Sequence, residues 1–223
     1  MPVAIVTGAS RGLGLALTRE LSSRGWRVVV DARDGDALTR AVVELATVTA
    51  ISGDVADPEH RRALVDTAGD RVDVLVNNAS LLGPSPQPPL ASYPLDVLRR
   101  VYEVNVFAPL ALAQLALPRM ADGGAIVNVT SDAGAEAYEG WGGYGSSKAA
   151  LEQVSAILAA EQPELRVYTV DPGDMRTQMH QEAFPGEDIS DRPPPEESVP
   201  GLVALIEGRV PSGRYIAREA VRP

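Results

Sequence analysis

The sequence contains no cysteine, which excludes disulfide bonds, cysteine nucleophiles and metal sites with thiolate ligands. It contains only two histidines, His60 and His180, so a metal site built from several histidines is excluded as well. We therefore predict a protein that holds no metal ion. The lack of cysteine also fits a reducing compartment.

Basic residues are in the minority, with 20 Lys and Arg against 30 Asp and Glu and a net charge of −10. No basic cluster is present to neutralise the phosphates of a duplex, so we predict no nucleic-acid partner. No apolar run approaches the roughly 18 residues of a membrane span, and the amino terminus lacks the pattern of a signal peptide. We expect a cytoplasmic protein without a membrane partner.

The pattern of the chain is an alternation of short apolar runs with longer helical stretches. This alternation predicts parallel strands joined by right-handed crossovers, and hence an α/β fold. The predicted strands are Val3–Thr7, Arg27–Asp31, Val48–Ile51, Val72–Asn77, Ala125–Thr130, Arg166–Val170 and Arg214–Ala217. The predicted helices are Gly12–Arg24, Asp36–Leu45, Pro58–Ala68, Leu95–Met120, Gly143–Glu161 and Glu196–Glu207. A length of 223 residues suits one domain over residues 1–223.

Two proline-rich segments, near residues 80–94 and 174–200, each follow the carboxyl end of a predicted strand. Open α/β sheets bind their ligands at that edge. The segments could be flexible linkers, but we favour loops that cover a substrate, because helical patterns resume after each.

Glycines open the first helix, in the stretch Thr7-Gly8-Ala9-Ser10-Arg11-Gly12-Leu13-Gly14 that follows the first strand. Glycine permits a tight turn and lets a pyrophosphate approach backbone N–H groups at a helix start. This context favours a dinucleotide site, although the spacing GxxxGxG differs from the commoner GxGxxG.

Lysine is almost absent: of the 20 cationic residues, only Lys148 is not arginine. It lies one helical turn after Tyr144, so both side chains project from one helix face. A nearby ammonium lowers the pKa of a phenol, which would make Tyr144 a general acid and base near neutral pH. A surface Tyr and Lys on an ordinary helix is the alternative for this motif alone.

Together, TGxxxGxG, Asn77-Asn78-Ala79, Ser131, and Tyr144 with Lys148 resemble the short-chain dehydrogenase/reductase family over nearly the whole chain. The resemblance implies a Rossmann-like doubly wound parallel sheet of about seven strands in a three-layer sandwich. It also implies that Tyr144 transfers a proton, Lys148 lowers the tyrosine pKa and binds the nicotinamide ribose, and Ser131 donates a hydrogen bond to the reacting oxygen. Asn105 sits where the family keeps a fourth catalytic residue, which holds a water in a proton relay.

The resemblance further implies contacts with a dinucleotide cofactor. Asp54 would contact adenine, Asn78 and Ala79 would flank the adenine ribose, and Met175 and Thr177 would meet the carboxamide and phosphates. The full implied set is Gly8, Ser10, Arg11, Gly12, Leu13, Gly14, Arg33, Asp54, Val55, Asn78, Ala79, Tyr144, Lys148, Pro172, Gly173, Met175 and Thr177. Asn105 could instead be a buried helix-bending residue, and Asp54 a turn residue.

The choice between NAD and NADP depends on the end of the second strand. An acidic residue there pairs with the ribose 2′-OH of NAD, and an Arg accommodates the 2′-phosphate of NADP. Asp31 lies one residue before the position used by NAD-dependent relatives, which is Ala32, and side chains alternate along a strand. We therefore expect Asp31 to point away from the ribose, Arg33 and Arg11 to face the phosphate, and NADP(H) to be favoured over NAD(H).

The predicted function is oxidoreduction of a small carbonyl or secondary-alcohol substrate. A dinucleotide-binding regulator without turnover, and an epimerase or dehydratase of the same family, are the alternatives. Ser80 replaces the glycine that the family keeps after Asn-Asn-Ala, and the chain ends soon after its last strand. A homodimer or homotetramer is expected, because relatives pair their fourth and fifth helices and these are rich in Ala and Leu here. The predicted pocket walls are Leu81, Leu82, Asp132, Tyr138, Glu139, Trp141, Met179, His180 and Phe184.

Overall fold

A computed structural model describes residues 1–220 and contains one seven-stranded sheet. The strands are β1 (Val3–Val6), β2 (Arg27–Ala32), β3 (Val48–Ser52), β4 (Val72–Asn77), β5 (Met120–Val129), β6 (Arg166–Asp171) and β7 (Gly213–Ile216). They run parallel in the order β3-β2-β1-β4-β5-β6-β7. The order reverses direction between β1 and β4, which is where such sheets open a crevice for a ligand.

The helices are α1 (Gly12–Ser23), α2 (Gly35–Val42), α3 (Pro58–Ala68), α4 (Leu95–Tyr102), α5 (Ala108–Ala116), α6 (Gly142–Glu161), α7 (Gln178–Ala183) and α8 (Val199–Glu207). Core side chains of α1, α2 and α8 pack on one face of the sheet. Those of α3, α5 and α6 pack on the other face. Because both faces are covered, the central strands are apolar almost throughout. The predicted Rossmann-like three-layer architecture is confirmed.

The stretch Leu95–Arg119 is long and apolar enough to cross a membrane by length and composition, with a mean hydropathy of 1.3. Half of that stretch is buried inside the protein. Leu112, Ala113 and Ala116 pack in the core against the sheet. The stretch is therefore explained as a core segment of the fold, although no apolar stretch of this length was expected.

Candidate active site

The glycine loop between β1 and α1 is tight enough to require its glycines. Gly8 has a φ of +69°, and a Cβ on Gly14 would lie 2.5 Å from the carbonyl oxygen of Gly8. Leu13 is turned into the core, while Ser10 is half-buried in the turn. The first N–H groups of an α-helix have no acceptor within the helix, so the loop offers backbone donors that a phosphate can approach.

Asn78 and Ala79 brace this loop from the end of β4. The side-chain Nδ2 of Asn78 donates to the carbonyl oxygens of Thr7 at 2.8 Å and Gly8 at 3.2 Å. The backbone N–H groups of Asn78 and Ala79 donate to the Thr7 hydroxyl at 3.0 and 2.9 Å. The Asn78 amide expected beside the adenine ribose is therefore directed at the protein backbone.

Asp31 is turned into the protein, as the alternation along β2 predicts. It is 1% exposed, and its two oxygens meet the Gly8 N–H at 2.7 Å and His60 Nε2 at 2.9 Å. Arg33, two residues further on, is exposed. The end of β2 thus presents the exposed guanidinium of Arg33, whereas the Asp31 carboxylate is engaged inside the protein.

Asp54 is held by an ion pair with a residue far away along the chain. Its carboxylate pairs with Arg100 of α4 and accepts the Ala56 N–H at 2.9 Å. Partial burial acts to raise the pKa of Asp54, but the Ala56 hydrogen bond and the charges of Arg100 and Arg33 outweigh it, and the pKa lies below its ordinary value. The side chain of Val55 is buried in the core, which leaves its backbone as the part that a cofactor could meet.

Arg11 of the glycine loop contacts the start of α7. Its guanidinium donates to the side-chain oxygen of Gln178, the first residue of α7. In the structure Arg11 joins the glycine loop to the segment 174–200, and its contact with a 2′-phosphate stays a prediction. Sequence distance hides the contact, because the two residues are 167 positions apart.

Tyr144 and Lys148 lie together on the buried face of α6. The ring of Tyr144 is 8% exposed and Lys148 is 2% exposed. The Lys148 ammonium lies 5.4 Å from the centre of the Tyr144 ring and donates to the Val129 carbonyl oxygen at 2.8 Å. The pairing that the spacing predicts is therefore present.

The predicted direction of the Tyr144 pKa is wrong. Burial raises that pKa, the Ser80 hydroxyl opposes the rise, and the carboxylates of Asp171 and Asp132 add to it. Burial also lowers the pKa of Lys148 to about 8, against an opposing effect of the Glu152 carboxylate. The simple rule that an ammonium lowers a neighbouring phenol neglects the cost of burying the phenolate.

Ser131 lies two residues after the end of β5 and caps a single 3₁₀ turn, Asp132–Gly134. Its hydroxyl donates to Asp132 Oδ1 at 2.8 Å and accepts the Ala133 N–H at 3.2 Å. To donate to a substrate oxygen, the Ser131 hydroxyl must turn away from Asp132. Asp132 is thus the direct neighbour that sets the orientation of Ser131.

Asn105 lies in a π-helical turn, Glu103–Phe107, between α4 and α5. Its Nδ2 donates to the Leu81 carbonyl oxygen and the Ser147 hydroxyl, both at 2.9 Å. Its Oδ1 accepts from the Leu81 N–H at 2.8 Å and the Ser80 hydroxyl at 3.2 Å. A primary amide has two donor hydrogens and two acceptor lone pairs, so this side chain is saturated. The Asn105 side chain therefore has no donor or acceptor left for a relay water. Its hydrogen bonds hold the segment after β4 against α6.

The segment after β6 carries the remaining predicted cofactor contacts. Gly173 has a φ of +71°, and its N–H donates a hydrogen bond to Asp171 Oδ1 at 2.8 Å. Pro172, between them, is buried. Thr177 caps α7, and its methyl carbon would lie 3.6 Å from a Cβ on Gly12. This segment therefore adjoins the glycine loop.

A cavity of about 310 Å³ opens between these elements. Both proline-rich segments contribute to it, through Leu82 and through residues 174–184. Of the predicted walls, Leu81 and Glu139 do not line the cavity, whereas Ala133, Asp174 and Ala183 line it and were not among the predicted residues. The lining residues are Leu82, Ser131, Asp132, Ala133, Tyr138, Trp141, Tyr144, Asp174, Met175, Thr177, Met179, His180, Ala183 and Phe184.

A charged network beneath the cavity was missed from the sequence. Arg214 of β7 bonds to Glu152 Oε1 at 3.1 Å and to Asp171 Oδ2 at 3.2 Å, and it approaches the Ser131 carbonyl oxygen at 3.4 Å. Glu152 also accepts the Thr130 hydroxyl at 2.6 Å. Burial raises the pKa of Asp171 even though the Gly173 N–H and Arg214 oppose the rise. The network connects β6, β7 and α6 with the residues that follow β5, next to Ser131. No local sequence motif predicts it.

Comparisons with known proteins bear on this arrangement. The chain matches the family model described as short chain dehydrogenase over residues 2–188. It is 39% identical over 190 residues to 1-deoxy-11-beta-hydroxypentalenate dehydrogenase of Streptomyces exfoliatus, covering 80% of this chain and 69% of that protein. It is 31% identical over 188 residues to a benzil reductase ((S)-benzoin forming) of Bacillus subtilis, covering 80% and 76%. Among solved structures, a short chain dehydrogenase from Escherichia coli CFT073 complexed with NADPH is 28% identical, has a TM-score of 0.90, and is matched over 97% of this chain and 96% of that one.

Proposed function

We propose that this chain, which belongs to the short-chain dehydrogenase family, is an NADP(H)-dependent oxidoreductase that interconverts a carbonyl and a secondary alcohol. One observation carries the proposal. Ser131 and Tyr144 line one cavity together with Met175 and Thr177, and Thr177 adjoins the glycine loop. A hydroxyl pair that can meet a reacting oxygen therefore lies next to a loop that can receive a dinucleotide.

The residues present fit a nicotinamide dinucleotide. The cradle at Gly8, Gly12 and Gly14 has no side chains, and the N-terminus of α1 favours negative charge there. The backbone around Ser10–Gly14 would hold the pyrophosphate, and Thr177 and Met175 would hold the nicotinamide end. Lys148 has one of its three donor hydrogens on Val129, which leaves the others for ribose hydroxyls.

When bound, the cofactor supplies or accepts a hydride at the substrate carbon. Tyr144 gives its proton to the carbonyl oxygen during reduction, and receives it back during oxidation. Ser131 donates a hydrogen bond to the same oxygen as negative charge develops there. Lys148 supplies a positive charge beside the Tyr144 ring, and Asn105 keeps the segment 80–81 in place beside them.

Because burial raises the pKa of Tyr144, this residue carries the proton that reduction of a carbonyl consumes. A phenol that keeps its proton is a donor, whereas oxidation of an alcohol needs the phenolate as base. Oxidation should therefore accelerate as the pH rises. Below a pH of about 8, the pKa to which burial lowers Lys148, the ammonium is mostly charged and supports either direction.

Replacement of Asp132 by Asn should move the pH profile of alcohol oxidation to lower pH. The Asp132 carboxylate raises the pKa of Tyr144, so neutralising it lowers that pKa and produces phenolate at lower pH. The amide oxygen can still accept the Ser131 hydrogen bond, which limits other changes. The measurement is kcat/KM for oxidation against pH, and a profile that stays in place or moves to higher pH would contradict the assigned charge effect.

Replacement of Arg33 by Asp should lower the ratio of kcat/KM for NADPH over NADH by at least about tenfold, because a charge-assisted hydrogen bond to the 2′-phosphate is worth about 1.5–3 kcal/mol. The new carboxylate also repels the phosphate and can accept from the 2′-OH of NADH. Arg40→Asp makes the same charge change at another exposed arginine and should leave the ratio within about twofold. Binding constants for both cofactors, measured by fluorescence titration, should follow the same order. A wild-type protein that prefers NADH would contradict the assignment of Arg33 to the 2′-phosphate.

We also propose that the protein is cytoplasmic and forms a homodimer or homotetramer. Phe107, which directly precedes α5, is 54% exposed, and Ile157 of α6 is 48% exposed. Large apolar side chains left exposed on one chain are a feature of association surfaces. Light scattering at micromolar concentration should give a mass of at least twice 23.5 kDa. A monomer mass under those conditions would contradict the assembly.

A further inference from the structure

The cavity lining is rich in aromatic residues. The sequence has two Phe, two Trp and six Tyr. Four of these ten line the cavity, namely Tyr138, Trp141, Tyr144 and Phe184. The sequence also has four methionines, of which Met175 and Met179 line the same cavity. Thioethers and aromatic faces pack well against flat rings, so the lining suits a substrate that carries such a ring.

Trp141 is the centre of a continuous aromatic wall. Its ring centre lies 5.9 Å from that of Tyr144, with an interplanar angle of 71°, and 5.7 Å from that of Phe184. The imidazole of His180 continues the wall, 4.9 Å from Phe184. The wall therefore starts at the proposed proton donor and extends into α7, which is where a group attached to the reacting carbonyl would lie.

The charges of the lining disfavour an anionic substrate. In residues 1–220, Asp132 and Asp174 line the cavity and no lysine or arginine does. Asp174 lies 3.8 Å from the Nε of the Arg192 guanidinium and 3.7 Å from His180 Nδ1. Asp132 accepts hydrogen bonds only from neutral donors among the described residues, including the Tyr138 hydroxyl at 3.2 Å. A carboxylate on the substrate would face this charge without a partner.

The cavity is also small. Its volume of about 310 Å³ is near the lower end of the range of about 300–1,000 Å³ for small-ligand pockets. Met175 and Thr177, which we assign to the nicotinamide end, line part of it, so the substrate shares this space. One ring with a short substituent fits better than a fused polycyclic skeleton.

We propose that the substrate is a neutral aryl ketone, or the corresponding benzylic alcohol, and that Trp141 is the residue that selects its ring. This inference rests on the proposed function and adds the substrate class to it. The aryl group packs on the wall formed by Trp141 and Phe184, while the carbonyl oxygen meets Tyr144 and Ser131. Reduction adds one hydride to the carbonyl carbon and one proton to its oxygen, which gives the secondary alcohol.

The test compares three ketones of similar size with NADPH at pH 7: acetophenone, cyclohexyl methyl ketone and 4-acetylbenzoate. We expect kcat/KM for acetophenone to exceed that for the cyclohexyl ketone by about tenfold, as aromatic packing predicts. We expect it to exceed that for 4-acetylbenzoate by about a hundredfold, because a like charge near Asp132 is strongly unfavourable. Equal rates for the three ketones would overturn the proposed class.

Variants distinguish a specific effect of the aromatic wall on substrate preference from a general loss of activity. Trp141→Leu should reduce the preference for acetophenone over the cyclohexyl ketone to less than about threefold. Tyr215→Leu, which also replaces an aromatic ring by leucine but lies outside the cavity against Tyr168, should leave that preference intact. Asp132→Asn should raise the relative rate with 4-acetylbenzoate at least about tenfold. A Trp141→Leu variant with an unchanged preference would remove Trp141 from the selecting role.

A binding measurement distinguishes failure of this inference from failure of the proposed function. Acetophenone should quench the fluorescence of Trp141 in the protein without cofactor, and the quenching should be lost in Trp141→Leu. Binding without any NADPH-dependent reduction would keep the aryl class and overturn the redox assignment. Tyr144-dependent reduction of aliphatic or anionic carbonyls, with no quenching and no reduction of acetophenone, would keep the redox assignment and overturn the aryl class.

Discussion

Tyr144→Phe should lower kcat for carbonyl reduction by at least about a hundredfold while NADPH binding changes by less than about threefold, since positioned proton transfer contributes about 10²–10⁴ in rate. The substitution removes one hydroxyl and keeps the ring, so the edge contact with Trp141 at 5.9 Å is retained. The hydroxyl is the proposed proton donor, and Ser131 alone can polarise the carbonyl but has its own proton directed at Asp132. The measurements are steady-state NADPH oxidation with product identification, and fluorescence titration of NADPH.

Tyr138→Phe is the matched control for this change. Tyr138 lines the same cavity, but its hydroxyl bonds to Asp132 and Glu136 at 3.2 and 3.0 Å and its side chain is 43% exposed. Loss of that hydroxyl should cost less than about threefold in kcat, since surface substitutions outside a reaction centre have small effects. Equal losses in the two variants would contradict the special role of Tyr144. Product identification matters because an epimerase or dehydratase would also depend on this tyrosine without net consumption of NADPH.

The fold could be predicted from the sequence because each buried strand is recognisable from its own short apolar run. Strands β1 and β4 are buried on both faces and read as continuous apolar runs between turns. The predicted bounds of β4, Val72–Asn77, agree with the structure at both ends. The family membership was predictable for a related reason, since the glycine loop and the pair formed by Tyr144 and Lys148 are short motifs at fixed spacing.

Departures from the predicted elements occur where tertiary contacts override local pattern. The predicted helix Leu95–Met120 is interrupted by the π-helical turn at Asn105, because that side chain is engaged by the segment after β4. Strand β5 begins at Met120, earlier than predicted, and its first residues include two glycines and an aspartate that no strand propensity would favour. Helix α7 was not predicted, since its six residues are too short for a helical period to emerge.

The electrostatics of the site could not be predicted from spacing. Asp54 and Arg100 are 46 positions apart, and Arg214 and Asp171 are 43 positions apart, so their pairing depends on the order of strands in the sheet. The pKa of Tyr144 also depends on burial, which spacing along α6 does not report. Hence the identities of the catalytic candidates were accessible from the sequence, while their protonation behaviour was not.

Lys148→Arg should lower kcat/KM by at least about a hundredfold, although it keeps a positive charge, because it disturbs the proton-transfer unit as a whole. The space around this side chain is limited: Lys148 is 2% exposed, and a Cβ on Gly134 would lie only 3.1 Å from the Lys148 Cβ. A guanidinium is larger and planar, and its fork cannot replace a compact ammonium that bonds to the Val129 carbonyl oxygen and to ribose hydroxyls.

Protonation gives a second reason and a sharper test. Burial lowers the pKa of Lys148 to about 8, whereas a guanidinium keeps its proton at every accessible pH. Lys148→Met, which keeps the length of the side chain without its charge, separates the two properties. If positive charge were the only contribution of Lys148, the Met variant would be inactive and the Arg variant would retain wild-type activity. The pH profile of kcat/KM for the Arg variant would then no longer show a group that titrates near pH 8. We expect both variants to be inactive, with NADPH affinity reduced in both, because the ammonium must fit one buried position as well as carry charge.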